Sequence, residues 1–198
     1  MNKKIFIVLI ISFFLSNMCF TCCYGKISKQ EKRVLGYIEA ANVSISDKQY
    51  DNALYYCDKA IELSPNNSDL YAKRGSIKYL LGKYKEAVVD YTKALEIEPD
   101  KKNIYYNRGI AKSYLNIYDE VIEDYTKELQ LDDKNTNAYL NRGTAEVLVN
   151  KYDEAIEDFT KLIELDANNE RGYYNRGIAK RNKGDYQGAI DDYTKFLR

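Results

Sequence analysis

The sequence predicts an all-α protein: a right-handed α-solenoid of about five helix-turn-helix repeats, preceded by an N-terminal signal or anchor segment. Three observations carry this prediction. The pattern Tyr71-Ala-Lys-Arg-Gly75 returns as Tyr105-Tyr-Asn-Arg-Gly109, Tyr139-Leu-Asn-Arg-Gly143 and Tyr173-Tyr-Asn-Arg-Gly177, at a spacing of 34 residues without slippage. A second pattern travels with it, as Ala87-x3-Tyr91, Val121-x3-Tyr125, Ala155-x3-Phe159 and Ala189-x3-Tyr193. Within each unit, apolar residues recur three or four apart, the period of an amphipathic helix. One such helix pair cannot bury its apolar face alone, and stacked neighbours supply the missing cover.

The period divides the chain into an N-terminal segment, 1–25, a short lead-in, 26–33, and five units: 34–67, 68–101, 102–135, 136–169 and 170–198. In the third unit, helix A runs through Ile104, Tyr105, Ile110, Ala111 and Tyr114. Asn116 breaks it, and helix B carries Val121, Ile122, Tyr125, Leu129 and Leu131. Gly109 and Val121 are slim enough for two helix axes to approach, and Tyr118 is placed to wedge the turn, as are Tyr50, Tyr84, Tyr152 and Tyr186.

The first unit is worn. Ala41 replaces the glycine, Cys57 the helix B aromatic and Ala40 the arginine, as expected of a unit that caps one end. Ser28 and Glu31 form a capping-box pattern that starts its helix A near Lys29. At the other end the sequence stops at Arg198 within helix B, so Ile178, Ile190 and Phe196 are expected to face an open side. The expectation is a weak homodimer through that end.

The 34-residue period, its aromatics and glycines, and Pro65 and Pro99 closing the first two units together resemble the tetratricopeptide repeat, over residues 34–198. The resemblance implies a non-catalytic scaffold that holds a partner protein's peptide or helix in a concave groove lined by helix A. The groove positions it assigns here are Lys73, Tyr106, Asn107, Ile110, Leu140, Asn141, Thr144, Tyr174, Asn175 and Ile178. An asparagine amide can donate to a peptide carbonyl and accept from a peptide N–H, so it can hold a backbone without reading its sequence. Asn is also a common filler there. The carboxylate clamp of chaperone-binding members is not expected, because the matching positions do not hold its set of cations.

One pair of positions departs from the family. Where leucine is usual, four units carry Arg74, Arg108, Arg142 and Arg176, and before the helix B aromatic they carry Asp90, Asp124, Asp158 and Asp192. The first unit lacks both. Joint presence and absence predicts structural ion pairs within each unit, against the alternative of solvated charge inherited by duplication. On the outer face, Glu123–Lys127, Glu157–Lys161 and Asp191–Lys195 read as i,i+4 pairs.

Composition narrows the chemistry. The 198 residues include 20 Tyr and no His, so the commonest general base and metal ligand is missing. Neither a metal nor a cofactor is expected, and no enzyme. Lys plus Arg equals Asp plus Glu at 30 each, without the clustered basic face that nucleic acid requires. Met1 to Lys4 followed by the apolar run Ile5 to Phe20 reads as a targeting signal, making the protein exported and envelope-associated, with its N-terminal segment in or at the membrane. Cys19, Cys22 and Cys23 are candidate lipidation residues of a bacterial lipoprotein, an uncleaved anchor and a freely secreted protein being the alternatives. Cys57 stands alone in the repeats and is expected in the core.

Overall fold

The computed structural model describes residues 27–196. The targeting segment 1–25, with Cys19, Cys22 and Cys23, lies outside the described residues, as does the C-terminal Arg198. Among the described residues there are ten α-helices and no strand. They are α1 (Lys29–Ser46), α2 (Tyr50–Leu63), α3 (Ser68–Leu80), α4 (Tyr84–Ile97), α5 (Ile104–Ser113), α6 (Tyr118–Leu131), α7 (Thr136–Leu148), α8 (Tyr152–Leu165), α9 (Glu170–Lys183) and α10 (Tyr186–Phe196). Each helix packs on its predecessor and successor, and α3 also touches α5, as α7 touches α9. That is a linear solenoid of helix pairs. None of these helices is long and apolar enough to cross a membrane.

Local sequence sets the helix ends. The capping box forms as expected: Glu31 N–H donates to Ser28 Oγ at 3.1 Å and Ser28 N–H to Glu31 Oε2 at 2.7 Å. Helix α1 therefore takes in most of the 26–33 lead-in. Asn67, Asn135 and Asn169 cap α3, α7 and α9 through their side chains. Every helix B begins at the repeated tyrosine, and the hydroxyls of Tyr118 and Tyr152 donate to Asn116 and Asn150 at 2.7 and 2.5 Å.

The A–B turn needs a left-handed residue at one repeated position. Gly82, Asn116, Asn150 and Gly184 have φ of 72°, 59°, 63° and 96°, and Lys48 has 57°. Glycine and asparagine tolerate this region, whereas a lysine Cβ is crowded there. Lys48→Gly is therefore expected to stabilise the first unit by about 0.5–1 kcal/mol, read as a shift in urea midpoint at constant m.

Close approach explains the repeated glycine. A Cβ added at Gly75, Gly109 or Gly143 would lie 3.0, 3.0 or 2.8 Å from the ring of Tyr91, Tyr125 or Phe159. Those rings are buried. The first unit accommodates Ala41 because the facing residue is Cys57, and both are buried in one cluster with Ala53 and Ile77. Burial pushes the Cys57 thiol up to about 11, so it is a core residue with little thiolate character.

The outer-face pairs differ from expectation. Lys161 reaches forward to Glu164 at 3.0 Å, an i,i+3 pair, as Lys59 does to Glu62 and Lys93 to Glu96, both at 2.8 Å. Lys127 donates to Gln130 at 3.3 Å, and Lys195 lies 5.5 Å from the Tyr173 ring centroid.

Candidate functional site

All four predicted ion pairs form, and each is bidentate. Arg108 Nε and Nη2 donate to Asp124 Oδ2 and Oδ1 at 2.9 and 2.6 Å. Arg74–Asp90 repeats those distances, Arg142–Asp158 gives 2.7 and 2.6 Å, and Arg176–Asp192 gives 2.9 and 2.7 Å. The aspartates are buried, Asp90, Asp124 and Asp192 each at 2% exposure. Each guanidinium also covers the tyrosine one turn earlier, 5.4–5.9 Å from the ring centroid.

The arginines do more than join helix A to helix B. The remaining nitrogen, Nη1, reaches back to the preceding unit: Arg74 to Asp58 at 2.6 Å, Arg108 to Thr92 at 3.1 Å, Arg142 to Thr126 and Arg176 to Thr160 at 3.0 Å. One side chain thus ties two units together, and the four form a half-buried ladder along the array. A further partner escaped sequence reading. Lys78, Lys112 and Lys180 bind the aspartates Asp90, Asp124 and Asp192 at 2.8, 3.0 and 2.8 Å. In the fourth unit the equivalent residue is Glu146.

A second device positions α5 and α7. Helix α5 starts two residues later than its counterparts, after Asn103 in the left-handed region, with no side-chain cap. Glu128 on α6 supplies the acceptor instead. Its carboxylate takes the N–H of Asn103 at 3.1–3.2 Å and of Tyr106 at 3.3 Å, and the Asn135 amide at 3.3 Å. Glu128 is fully buried where the other units carry Ala60, Ala94, Leu162 and Phe196. Burial pushes its carboxyl up, against the opposing pull of those donors.

Successive A helices α5 and α7 flank a cleft of about 300 Å³, floored by Tyr125 and Val121 of α6. Of the predicted groove residues, Ile110, Asn141 and Thr144 line it. Asn141 also donates to Tyr106 Oη at 3.2 Å, so its amide is oriented, and the Tyr106 and Tyr125 rings lie 5.6 Å apart. Lys73 donates to Asn42 at 2.8 Å on the neighbouring unit. Asn107 and Asn175 are half-buried. Leu140 is a correction: it is buried in the core with Ala155, Phe159 and Leu162, on the inward side of α7, and is not available to a ligand. Sequence reasoning missed Tyr114 and Leu148. Both are 55% exposed, both wall the cleft, and they share one repeat position at the end of helix A. Tyr114 is held by stacking on Tyr84, centroids 4.4 Å apart, and by Tyr79 edge-on at 5.7 Å.

Tyr174 and Ile178 line a separate cavity of about 370 Å³ with Arg181, Tyr193 and Phe196 on α9–α10. Ile190, expected on that face, is exposed elsewhere. Among the described residues no group of three or more Cys, Asp or Glu is arranged to hold a metal ion.

Comparison with known proteins agrees with this geometry. Sequence profiles of the tetratricopeptide repeat match residues 36–67, 56–89 and 170–198, and a further TPR repeat profile matches 75–113 and 143–182. The chain belongs to the tetratricopeptide-repeat family. DnaJ homolog subfamily C member 7 of Mus musculus is 36% identical over 52 residues, 26% of this chain and 10% of that protein. The match therefore spans only a small part of that relative. Among solved structures, YrrB, described as a TPR protein with an unusual peptide-binding site, is 25% identical with a TM-score of 0.76, over 81% of this chain and 83% of its own. MamA from Desulfovibrio magneticus RS-1 is 19% identical with a TM-score of 0.80, over 86% and 95%. The likeness to MamA is one of fold.

Proposed function

We propose that the protein is a non-catalytic interaction scaffold that binds an extended partner peptide across the A helices, with an apolar side chain of the peptide seated between α5 and α7. The observation that carries this reading is the cleft itself. Its floor and walls are aromatic and aliphatic, its rim offers the oriented Asn141 amide and the Thr144 hydroxyl, and Tyr114 is pre-positioned by stacking. That is the composition of a side-chain pocket beside a backbone anchor. The similarity to YrrB supports a peptide as the ligand class. The signal-like residues 1–25 support an envelope location, tethered through that segment and facing away from the cytoplasm.

Selection of displayed peptides on the purified chain tests the reading. Enriched peptides should share an aromatic or aliphatic anchor, and Leu148→Asp should weaken their binding by tenfold or more, since a carboxylate buried against an apolar side chain is costly. Peptides that bind Leu148→Asp as well as the native chain would contradict it.

A second reading, self-association, is favoured by the apolar cavity of Tyr174, Ile178 and Phe196 on the last described helix pair. A dimer seen by sedimentation and abolished by Phe196→Asp would support that reading. A monomer at high micromolar concentration would remove it.

A further inference from the structure

The α7–α8 pair is the one rung of the ladder built with a carboxyl in place of an ammonium. Lys78, Lys112 and Lys180 each place Nζ against their aspartate, and Lys112 also reaches Glu120 at 3.0 Å. Glu146 occupies the same repeat position and is 5% exposed, and Glu154 stands where Glu120 does. Asp158 already gives both oxygens to Arg142. Glu146 Oε1 is 3.9 Å from Arg142 Nε, beyond hydrogen-bonding range, and Glu146 Oε2 is buried with no partner among the described residues.

We propose that Glu146 is a proton-operated weak point in the array: α7 and α8 stay closed while Glu146 carries a proton, and they loosen as that proton leaves to water. A proton on Oε2 turns the orphaned acceptor into a donor. The nearby Asp158 carboxylate repels a second negative charge and so favours the protonated form of Glu146. Without it, a single guanidinium faces two buried carboxylates, and an unpaired buried charge is the costliest polar defect a core can hold.

Among the described residues no cation comes within hydrogen-bonding range of Glu146. On α7 the facing charge is Arg142, and on α8 the facing charges are Asp158 and Glu154. Lys151 in the turn pulls weakly against the rise of the Glu146 carboxyl and lies 3.6 Å from Asp119 of α6. From α9, Lys180 is held by Asp192 and Lys183 by Asp153. Burial, then the Asp158 charge, push the Glu146 carboxyl up to about 7 from an ordinary value of 4.5. The opened pair releases its proton near the ordinary value, so the stabilisation is complete below it and is lost as pH rises through about 7. Because Ala145 and Leu148 on α7 line the cleft, loosening also disturbs peptide binding. That corollary rests on the scaffold reading; the switch does not.

Amide exchange of the full chain between pH 5 and 8.5, corrected for intrinsic rates, tests the proposal without any ligand. The opening constant of α7–α8 should rise on the order of a hundredfold over this range relative to α3–α4, where Lys78 fills the position. Glu146→Gln should flatten the dependence. Glu146→Lys should flatten it too, and should protect α7–α8 at pH 8 by completing the rung. A wild-type profile that matches α3–α4, or a dependence that persists in both variants, would overturn it.

Discussion

Asp124→Ala is expected to destabilise the array by about 3–5 kcal/mol, the loss typical of removing one partner from a buried ion pair. The substitution leaves Arg108 without a carboxylate and Lys112 with Glu120 alone, at 3.0 Å. Arg108 and Lys112 both converge on Asp124, at 2.6 and 3.0 Å, and their side chains are only 16% and 8% exposed. The surface pair Lys59–Glu62 provides the contrast. Its groups are largely solvated, and Lys59→Ala should change stability by about 1 kcal/mol or less. Replacing Asp124, Arg108 and Lys112 together by apolar residues of similar volume should recover much of the loss, because the penalty lies in the unpaired charge. Urea unfolding of the four proteins measures this directly. A loss below about 1 kcal/mol for Asp124→Ala would return these charges to the solvated class.

Phe159→Ala is expected to cost about 3–5 kcal/mol, and Gly143→Ala about 1–3 kcal/mol. Phe159 is fully buried, and its ring fills the space a Cβ at position 143 would need, 2.8 Å away. Combined, the two should cost less than their sum, since the added methyl occupies part of the cavity left by the ring. The first unit already contains a version of that solution, with Ala41 facing Cys57. Additive losses in the double variant would show that ring and glycine do not compete for the same space.

Much of this was legible in the sequence because repetition turns single residues into columns. Arg and Asp appear together in four units and vanish together in the first, which located the ion pairs before any geometry. The inter-unit bond from Arg108 to Thr92 was not legible, because a threonine on a helix surface carries no charge to balance. The Lys112 column and its exception at Glu146 were not legible, because a lysine on a helix carries no sign of burial; only the structure reveals that an ammonium is neutralised there. Glu128 was hidden for a related reason. Its role is to cap a helix start that is two residues late, and lateness is a property of the backbone. Leu140 was placed in the groove because the resemblance assigns its repeat position there, with Tyr106 and Tyr174, whereas the structure buries it beside Phe159. Tyr114 and Leu148 lie at the C-terminal end of helix A, where apolar periodicity reads as core; both instead wall the cleft.

The scaffold reading is tested most directly by mapping a selected peptide onto the array through amide-exchange protection. Binding should protect α5 and α7 around Ile110, Tyr114, Asn141 and Leu148, and the protection should disappear in Leu148→Asp while the fold is retained. Protection confined to α4 or α8, or none at saturating peptide, would contradict binding across the A helices.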